Sequence, residues 1–279
     1  MEVLSLFVIR EPRFYEYERY IPELCLFDDD FMSLVLDDID CVELILRIIL
    51  DDQDIRISRV LSQKEVKNIK GKSIRADIIA EGIDGTYYNI EVQRENSGGI
   101  ARRARYNSSM VDMSVLEPGN QYSQLPKVHT IFIMERDIFH QGLPLYHCQR
   151  MIEEMDEPLN DGSYIIYVNG SRSDDTRLGK LMHDFHCQEW REMEYPELAR
   201  RVRYYKEKEG REKMCEIWER IKRDGFEQGI EYGMAKGMET NRIISIQNLM
   251  KNLNLNIEEA MKALNIPETE QQYYIKILN

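Results

Sequence analysis

Apolar and polar residues in the first half of the chain follow helical and then strand-like patterns. A short helix is predicted over DDDFMSLVLDDID, with its N-cap among Asp28 to Asp30, and a core helix from Asp40, where CVELILRIIL is apolar almost throughout. Between residues 51 and 95 the pattern changes to the short strands IRISRVL, SIRADIIAE and YYNIEVQRE. After ENSGG, the sequence predicts a helix (IARRARYNSSMVDMSVLE), a buried strand (VHTIFIME) and a hairpin-like pair (LYHCQRMIEE and SYIIYVNG).

The second half of the chain is predicted to be helical from about residue 170 to its end. The order of elements before it indicates a mixed α/β domain. We therefore expect four regions: an N-terminal arm (1–25), an α/β core (26–175), a helical region (176–222) and a glycine-containing helical extension (223–279).

Composition and charge narrow the class of protein. Hydrophobic residues are 43% and charged residues 31% of the 279 residues, a balance typical of soluble globular proteins. No apolar run approaches the roughly 18 residues that span a bilayer, and MEVLSLFVIREPRF does not resemble a secretory signal. We expect a cytoplasmic protein without a membrane segment. The five cysteines are scattered and never form CxxC, so we expect reduced, mostly buried thiols.

The two strands around Asp84 and Gly85 carry the candidate chemistry. A three-residue loop with Gly85 in the left-handed conformation sets Asp77 opposite Glu91 and keeps the apolar faces of both strands consistent. Directly opposed side chains have Cβ atoms roughly 4.5–5.5 Å apart. Two carboxylates at that spacing repel one another unless a cation lies between them.

An acid pair that binds a divalent ion indicates phosphodiester chemistry. Oxygen ligands favour magnesium, with manganese as the alternative, and such an ion polarises a phosphodiester and activates water. Gln93 shares the face of Glu91 and is predicted to orient water or phosphate, although a neutral amide is no general base. The next helix carries cationic and aromatic residues suited to a DNA phosphate: Arg102, Arg103, Arg105 and Tyr106.

The order of these residues resembles the PD-(D/E)XK nuclease family transposases, or recombination-promoting nucleases. The resemblance runs from about residue 25 to 235 through KSIRADIIAEG, YNIEVQRE, RRARYNSSMVD, LPKVHTIFIMERDIF and LGKLMHDFHC. It implies a restriction-endonuclease-like mixed sheet flanked by helices and magnesium-dependent DNA cleavage with little sequence preference. It also implies a role in recombination or mobile-element activity. By position, Asp77 and Glu91 match the family's metal-binding acids and Gln93 matches the superfamily's lysine, a departure that weakens mechanisms needing a cation there.

Several residues keep two interpretations. The relatives suggest Glu43 as a further catalytic acid, but Asp40-x-x-Glu43 also fits a capping box. The net charge of −13 requires a local basic surface on a DNA-binding protein. The stretch from Arg200 to Lys213 is either that surface or a solvated helix. His183, His186 and Cys187 are interpreted as packing and surface residues rather than metal ligands.

The C-terminal region also leaves alternatives open. Four glycines at four-residue spacing predict either close helix packing, as in a homodimer, or a flexible linker: Gly225, Gly229, Gly233 and Gly237. NIEEAMKALNIPETEQQYYI has helix–turn–helix spacing, but its acidity favours protein contact. Besides an active endonuclease, a catalytically weakened DNA-binding or recombination accessory protein and a helical interaction module remain as alternative functions.

Overall fold

A computed structural model describes residues 20–68, 71–94 and 100–278, together with the side chains of these residues except at 208–209, 212–213, 215–228, 231–232 and 235. Most of the predicted N-terminal arm therefore lies outside the described residues. Two helices open the described chain, α1 (Asp29–Val35) and α2 (Ile39–Ile49). The first sheet strands follow as β1 (Ile57–Val66), β2 (Ile74–Gly82) and β3 (Tyr87–Gln93).

After β3 come one α-helix and five strands, and the described chain beyond them is helical. They are α3 (Ile100–Val115), β4 (Val128–Met134), β5 (Leu145–Cys148), β6 (Met151–Ile152), β7 (Glu157–Pro158), β8 (Ser163–Asn169), α4 (Arg177–His186), α5 (Pro196–Lys206), α6 (Lys208–Leu253), α7 (Ile257–Ala263) and α8 (Glu268–Leu278). Short 3-10 helices lie at Ile21–Glu23, Tyr122–Gln124 and Trp190–Glu192.

The main sheet is mixed and has six strands in the order β1-β2-β3-β4-β8-β5. β3, β4 and β8 are parallel to one another, while β1, β2 and β5 pair antiparallel with their neighbours. The expected pairing of the segments around 145 and 163 is confirmed, since Leu145 lies opposite Val168. LYHCQRMIEE is not one strand, however, because β6 turns away to pair with β7.

The β2–β3 hairpin has the register that the sequence predicted. Ile78 lies opposite Ile90, and Gly82 donates its N–H to the carbonyl of Thr86 across a three-residue loop. Gly85 has a φ of 83°, the left-handed conformation that glycine adopts without steric cost.

Strand alternation breaks at Asp77, where the sequence predicted one continuous apolar face. Ile74 and Ala76 share a buried cluster with Ile79, although these positions would lie on opposite faces of a regular strand. On β1, Gln63 lies between the pairs Ser62–Ile78 and Lys64–Ala76 and has a φ of 49°. The backbone of the edge strand is therefore irregular opposite Asp77 although the register is the same on both sides of Gln63, and the register shift lies elsewhere on β1, between Ile57 and Arg59.

Helices cover both faces of the central strands. Ala104 of α3 packs in a buried cluster with Phe132 and Met134 of β4. Ile131 and Ile133 of β4 point the opposite way and are also fully buried. Helices α1, α2, α4 and α5 pack on one another, and α1 and α2 also contact β1. A restriction-endonuclease-like α/β sheet flanked by helices is thus confirmed as the fold class.

The chain divides into two compact units, Met1–Cys215 and Glu216–Asn279. In the second unit, α7 and α8 pack on the end of α6 around Ile246, Met261 and Tyr274. Residues 254–256 and 264–267 connect these three helices, which agrees with the helix–turn–helix spacing of the sequence. The boundaries between the four regions that the sequence predicted, at residues 25, 175 and 222, remain predictions. Within the described ranges, no helix is long and apolar enough to cross a membrane.

Candidate active site

The hairpin brings the two predicted acids together in the interior. Asp77 is 7% exposed and Glu91 is fully buried. The Oδ2 atom of Asp77 accepts a hydrogen bond of 2.9 Å from the N–H of Val92, the residue next to Glu91. The side chain of Asp77 therefore accepts a backbone hydrogen bond from β3, next to the Ile78–Ile90 pair. This hydrogen bond holds the carboxylate of Asp77 beside that of Glu91.

The two carboxylates perturb one another electrostatically. Burial, followed by the charge of Glu91, raises the pKa of Asp77 to about 7. The charge of Asp29, in the first turn of α1, raises it further. Burial also raises the pKa of Glu91, while Arg103 opposes that rise. Sequence analysis missed Asp29, because the proximity of α1 to β2 is a tertiary contact.

Arg103 of α3 donates hydrogen bonds to two side chains of β3. Its Nη2 donates to Oε2 of Glu91 at 2.7 Å, and its Nη1 donates to Oε1 of Gln93 at 2.9 Å. The guanidinium also lies 5.8 Å from the centroid of the Phe132 ring. Glu91, Gln93 and Arg103 are thus brought together as predicted, but Arg103 binds the acid instead of projecting freely toward a phosphate.

A basic groove of about 540 Å³ is lined in part by Arg103, the partner of Glu91. Its lining contains five cationic or aromatic side chains from the start of β2 and from α3: Lys72, Arg75, Arg102, Arg103 and Tyr106. The hydroxyl of Tyr106 donates to the carbonyl of Lys72, which fastens the segment before β2 to α3. The sequence analysis assigned no site role to Lys72 or Arg75, although both lie within five residues of Asp77 in the sequence.

Two predicted site residues lie elsewhere. Arg105 is exposed, does not line this groove, and sits about 200° around the helix from Arg103. Glu43 accepts the N–H of Ile57 at 2.8 Å and pairs with Arg47. Ile57 lies opposite Gly82, five residues along β2 from Asp77, or about 16 Å at strand spacing. The structure therefore does not bring Glu43 to the acid pair: its carboxylate joins α2 to β1, and a catalytic role for Glu43 stays a prediction.

The capping box proposed at Asp40 is also wrong. The helix begins at Ile39, and its N-cap is Asp38, whose carboxylate accepts the N–H of Cys41. The helix therefore begins one residue before Asp40.

The basic stretch from Arg200 makes contacts within the protein. Arg200 pairs with Asp40, Arg203 with Glu207, and the buried ammonium of Lys206 donates to the carbonyls of Pro22, Leu24 and Gln188. The side chains of Arg200 and Arg203 are 60% and 55% exposed, as on a solvated helix, while those at 208 and 213 lie outside the described residues. A second concentration of positive charge lies in the groove that Arg103 lines.

The histidines of α4 are packing and surface residues, as predicted. His183 contacts Asp184, and Nε2 of His186 lies 3.0 Å from the carbonyl of Gly170. No cluster of three or more His, Cys, Asp or Glu side chains that could hold a metal occurs among the described residues. Cys25, Cys41, Cys148 and Cys187 are free thiols.

Asp77 and Glu91 fit a divalent ion by their donor chemistry. Oε1 of Glu91 is buried and accepts no hydrogen bond of normal geometry in the part of the chain that the structure describes, although the Asn89 side chain and the backbone of Asp77 lie close enough to the carboxylate to lower its pKa. An unpartnered carboxylate oxygen beside a second buried carboxylate suits a hard cation, which satisfies the oxygen and relieves the repulsion.

A mixed α/β sheet with two buried acids on adjacent central strands, followed by a helix that contributes a cation, defines the PD-(D/E)XK nuclease class. The family model described as PD-(D/E)XK nuclease family transposase matches residues 42–239, more than half of the chain. The chain belongs to this family. No curated protein and no solved structure matched it.

Proposed function

We propose that this protein is a magnesium-dependent DNA endonuclease that cleaves phosphodiester bonds with little sequence specificity, in a recombination or mobile-element context. The observation that carries the proposal is the buried Asp77–Glu91 pair beside a groove with four cationic side chains. Membership of a nuclease family supports the reaction class. The ion is magnesium or manganese, and a cytoplasmic location belongs to the same proposal.

Each residue of the site has a defined task in this mechanism. Asp77 and Glu91 hold the ion, which supplies polarisation of the phosphodiester and a lowered pKa for a bound water. Val92 keeps the Asp77 carboxylate in place through its N–H. Gln93 orients the phosphate or water through its amide. Lys72, Arg75 and Arg102 bind backbone phosphates along the groove, and Tyr106 positions the segment that carries Lys72.

A plasmid nicking assay with magnesium tests the proposal. The wild-type protein is expected to nick supercoiled DNA, and Asp77→Asn to lose that activity, because the amide removes a charged ligand while keeping the acceptor for Val92. Glu81→Gln is the matched control: it removes the same charge from β2, but from an exposed pair with Arg59. Equal nicking by wild type and Asp77→Asn would refute the proposal.

Two observations favour a second candidate, a catalytically weakened DNA-binding accessory protein. Arg103 already neutralises Glu91, and position 93 carries an amide in place of the superfamily's lysine. For that function, DNA is retained in a gel shift but is never nicked with magnesium or manganese.

The homodimer remains a proposal for the second unit. Gly229, Gly233 and Gly237 are exposed, and an added Cβ at any of them would meet nothing within 4 Å. Met234 and Met238 beside them are also exposed, while the side-chain surroundings of position 225 are not described. Light scattering coupled to size exclusion should show a dimer that Gly233→Leu weakens, because the added side chain separates closely packed helices. A wild-type monomer would exclude it.

A further inference from the structure

Arg103 differs from the other cations of the groove in where its donors point. Both ends of its guanidinium are engaged by the candidate site, one by Glu91 and the other by Gln93. Arg102, the preceding residue on α3, lines the same groove and is exposed. The two arginines therefore have different surroundings despite their adjacency, and only Arg103 has its charge committed to a metal-binding acid.

The Arg103–Glu91 ion pair opposes the binding of a divalent ion to Glu91. The guanidinium occupies Oε2 of Glu91, and the same carboxylate has the unpartnered Oε1 that suits a cation. Two cations on one buried carboxylate repel strongly, because the interior screens charges far less than water does. Binding of the ion therefore weakens the Arg103–Glu91 pair, and the pair opposes binding of the ion.

A second partner for Arg103 is available nearby. Its side chain is 36% exposed and lines the groove that also contains Lys72, Arg75 and Arg102. A guanidinium matches the geometry of a phosphate and binds it through two parallel hydrogen bonds. Once freed from Glu91, Arg103 has a phosphate-binding surface within reach of its own side chain.

We propose that Arg103 exchanges partners, holding Glu91 and Gln93 in the metal-free protein and binding a DNA phosphate in the groove once a divalent ion occupies Asp77 and Glu91. This inference rests on the proposed function and goes beyond it, since it couples the two ligands. By thermodynamic linkage, the ion strengthens DNA binding and DNA strengthens binding of the ion by the same factor. Arg103 is thus a positioning residue in the metal-free protein and a substrate-binding residue in the loaded one.

The first test is Mn²⁺ affinity, measured from the electron paramagnetic resonance signal of free Mn²⁺ without DNA. Arg103→Met removes the competing cation, and we expect it to bind Mn²⁺ about tenfold more tightly than wild type, within the usual range of coupling between sites. Arg102→Met is the matched control and should change the affinity far less, because solvent screens its charge. Unchanged or weaker Mn²⁺ binding by Arg103→Met would overturn the proposal.

The second test is the affinity for a short DNA duplex, measured by fluorescence anisotropy in Ca²⁺ and in EDTA. Ca²⁺ should tighten binding by wild type and by Arg102→Met, but much less by Arg103→Met, which cannot exchange partners. An equal Ca²⁺ effect in all three proteins would contradict the exchange. If circular dichroism shows that Arg103→Met does not fold, Arg103→Lys replaces it. The ammonium of the lysine cannot bridge Glu91 and Gln93, so the Arg103→Lys protein should also bind Mn²⁺ more tightly than wild type.

Failure of this inference is distinguishable from failure of the nuclease proposal. If wild type binds Mn²⁺ at a site that Asp77→Asn removes, yet Arg103→Met matches wild type, only the exchange of partners is wrong. If wild type binds no Mn²⁺ at an Asp77-dependent site, the metal-dependent function itself fails.

Discussion

Replacing Asp77 by asparagine should stabilise the metal-free protein at alkaline pH while it destroys the proposed activity. Burial and the charge of Glu91 raise the pKa of Asp77 from 3.8 to about 7. The folded protein therefore binds one more proton than the unfolded chain between these values, and stability falls as the pH rises through that window. Above the folded-state pKa, the cost of the ionised carboxylate is complete.

The magnitude follows from the shift in pKa. At about 1.4 kcal/mol for each pKa unit, the ionised Asp77 costs about 4 kcal/mol at most, and we expect about 2–4 kcal/mol for a pair of interacting acids. The asparagine side chain of the variant carries no charge and still accepts the N–H of Val92. Asp77→Asn should therefore raise the free energy of unfolding by that amount near pH 8 and by less than about 1 kcal/mol near pH 4, where Asp77 is protonated in the folded protein and about half ionised in the unfolded chain.

Urea unfolding in EDTA at the two pH values measures this difference. Glu81→Gln serves as the control, because it breaks a partly exposed pair with Arg59 and should lose no more than about 1 kcal/mol. Magnesium should stabilise wild type but not Asp77→Asn, since it binds the folded protein through the missing charge. No gain for Asp77→Asn near pH 8, or an equal gain at both pH values, would refute the electrostatic reasoning.

Three further predictions concern the groove and the corrected residues. Lys72→Ala and Arg75→Ala should each make the dependence of DNA affinity on salt less steep by about one unit of the log–log slope, as measured by anisotropy, and unchanged slopes would remove these residues from the DNA surface. Glu43→Gln should lower the free energy of unfolding in urea by about 1–3 kcal/mol, because it weakens the contacts to Arg47 and Ile57. The folded variant should still nick DNA, and a loss of nicking would assign Glu43 to the active site. Lys206→Met should lower stability by about 2–5 kcal/mol, because three carbonyls lose their donor, and a thermal shift within error would contradict that role.

The sequence predicted the hairpin well because its determinants are local. The left-handed conformation of Gly85 and the alternation on both strands allow one register, and that register sets Asp77 beside Glu91. The break in alternation at Asp77 was missed, because a period of two cannot reveal an irregular strand pair. The left-handed Gln63 opposite Asp77 has no sequence signal either, since glutamine gives no reason to expect a positive φ.

Errors at the site come from contacts between residues distant in sequence. The sequence gave Arg102, Arg103 and Arg105 the same role, and only the packing of α3 on β3 and β4 selects Arg103 as the partner of Glu91. The contact of Glu43 with the N–H of Ile57, 14 residues further along the chain, likewise gave no sequence signal. The basic residues after 200 pair with acids and carbonyls of α1, α2 and their flanking turns, which charge patterning alone does not reveal.

Anomalous diffraction from crystals soaked in Mn²⁺ is the most direct test of whether Asp77 and Glu91 share one cation. We predict a single strong peak within bonding distance of carboxylate oxygens from both residues, with the guanidinium of Arg103 moved away from Glu91. A fully soaked crystal without a peak there, or with manganese bound only where neither acid reaches it, would contradict the account.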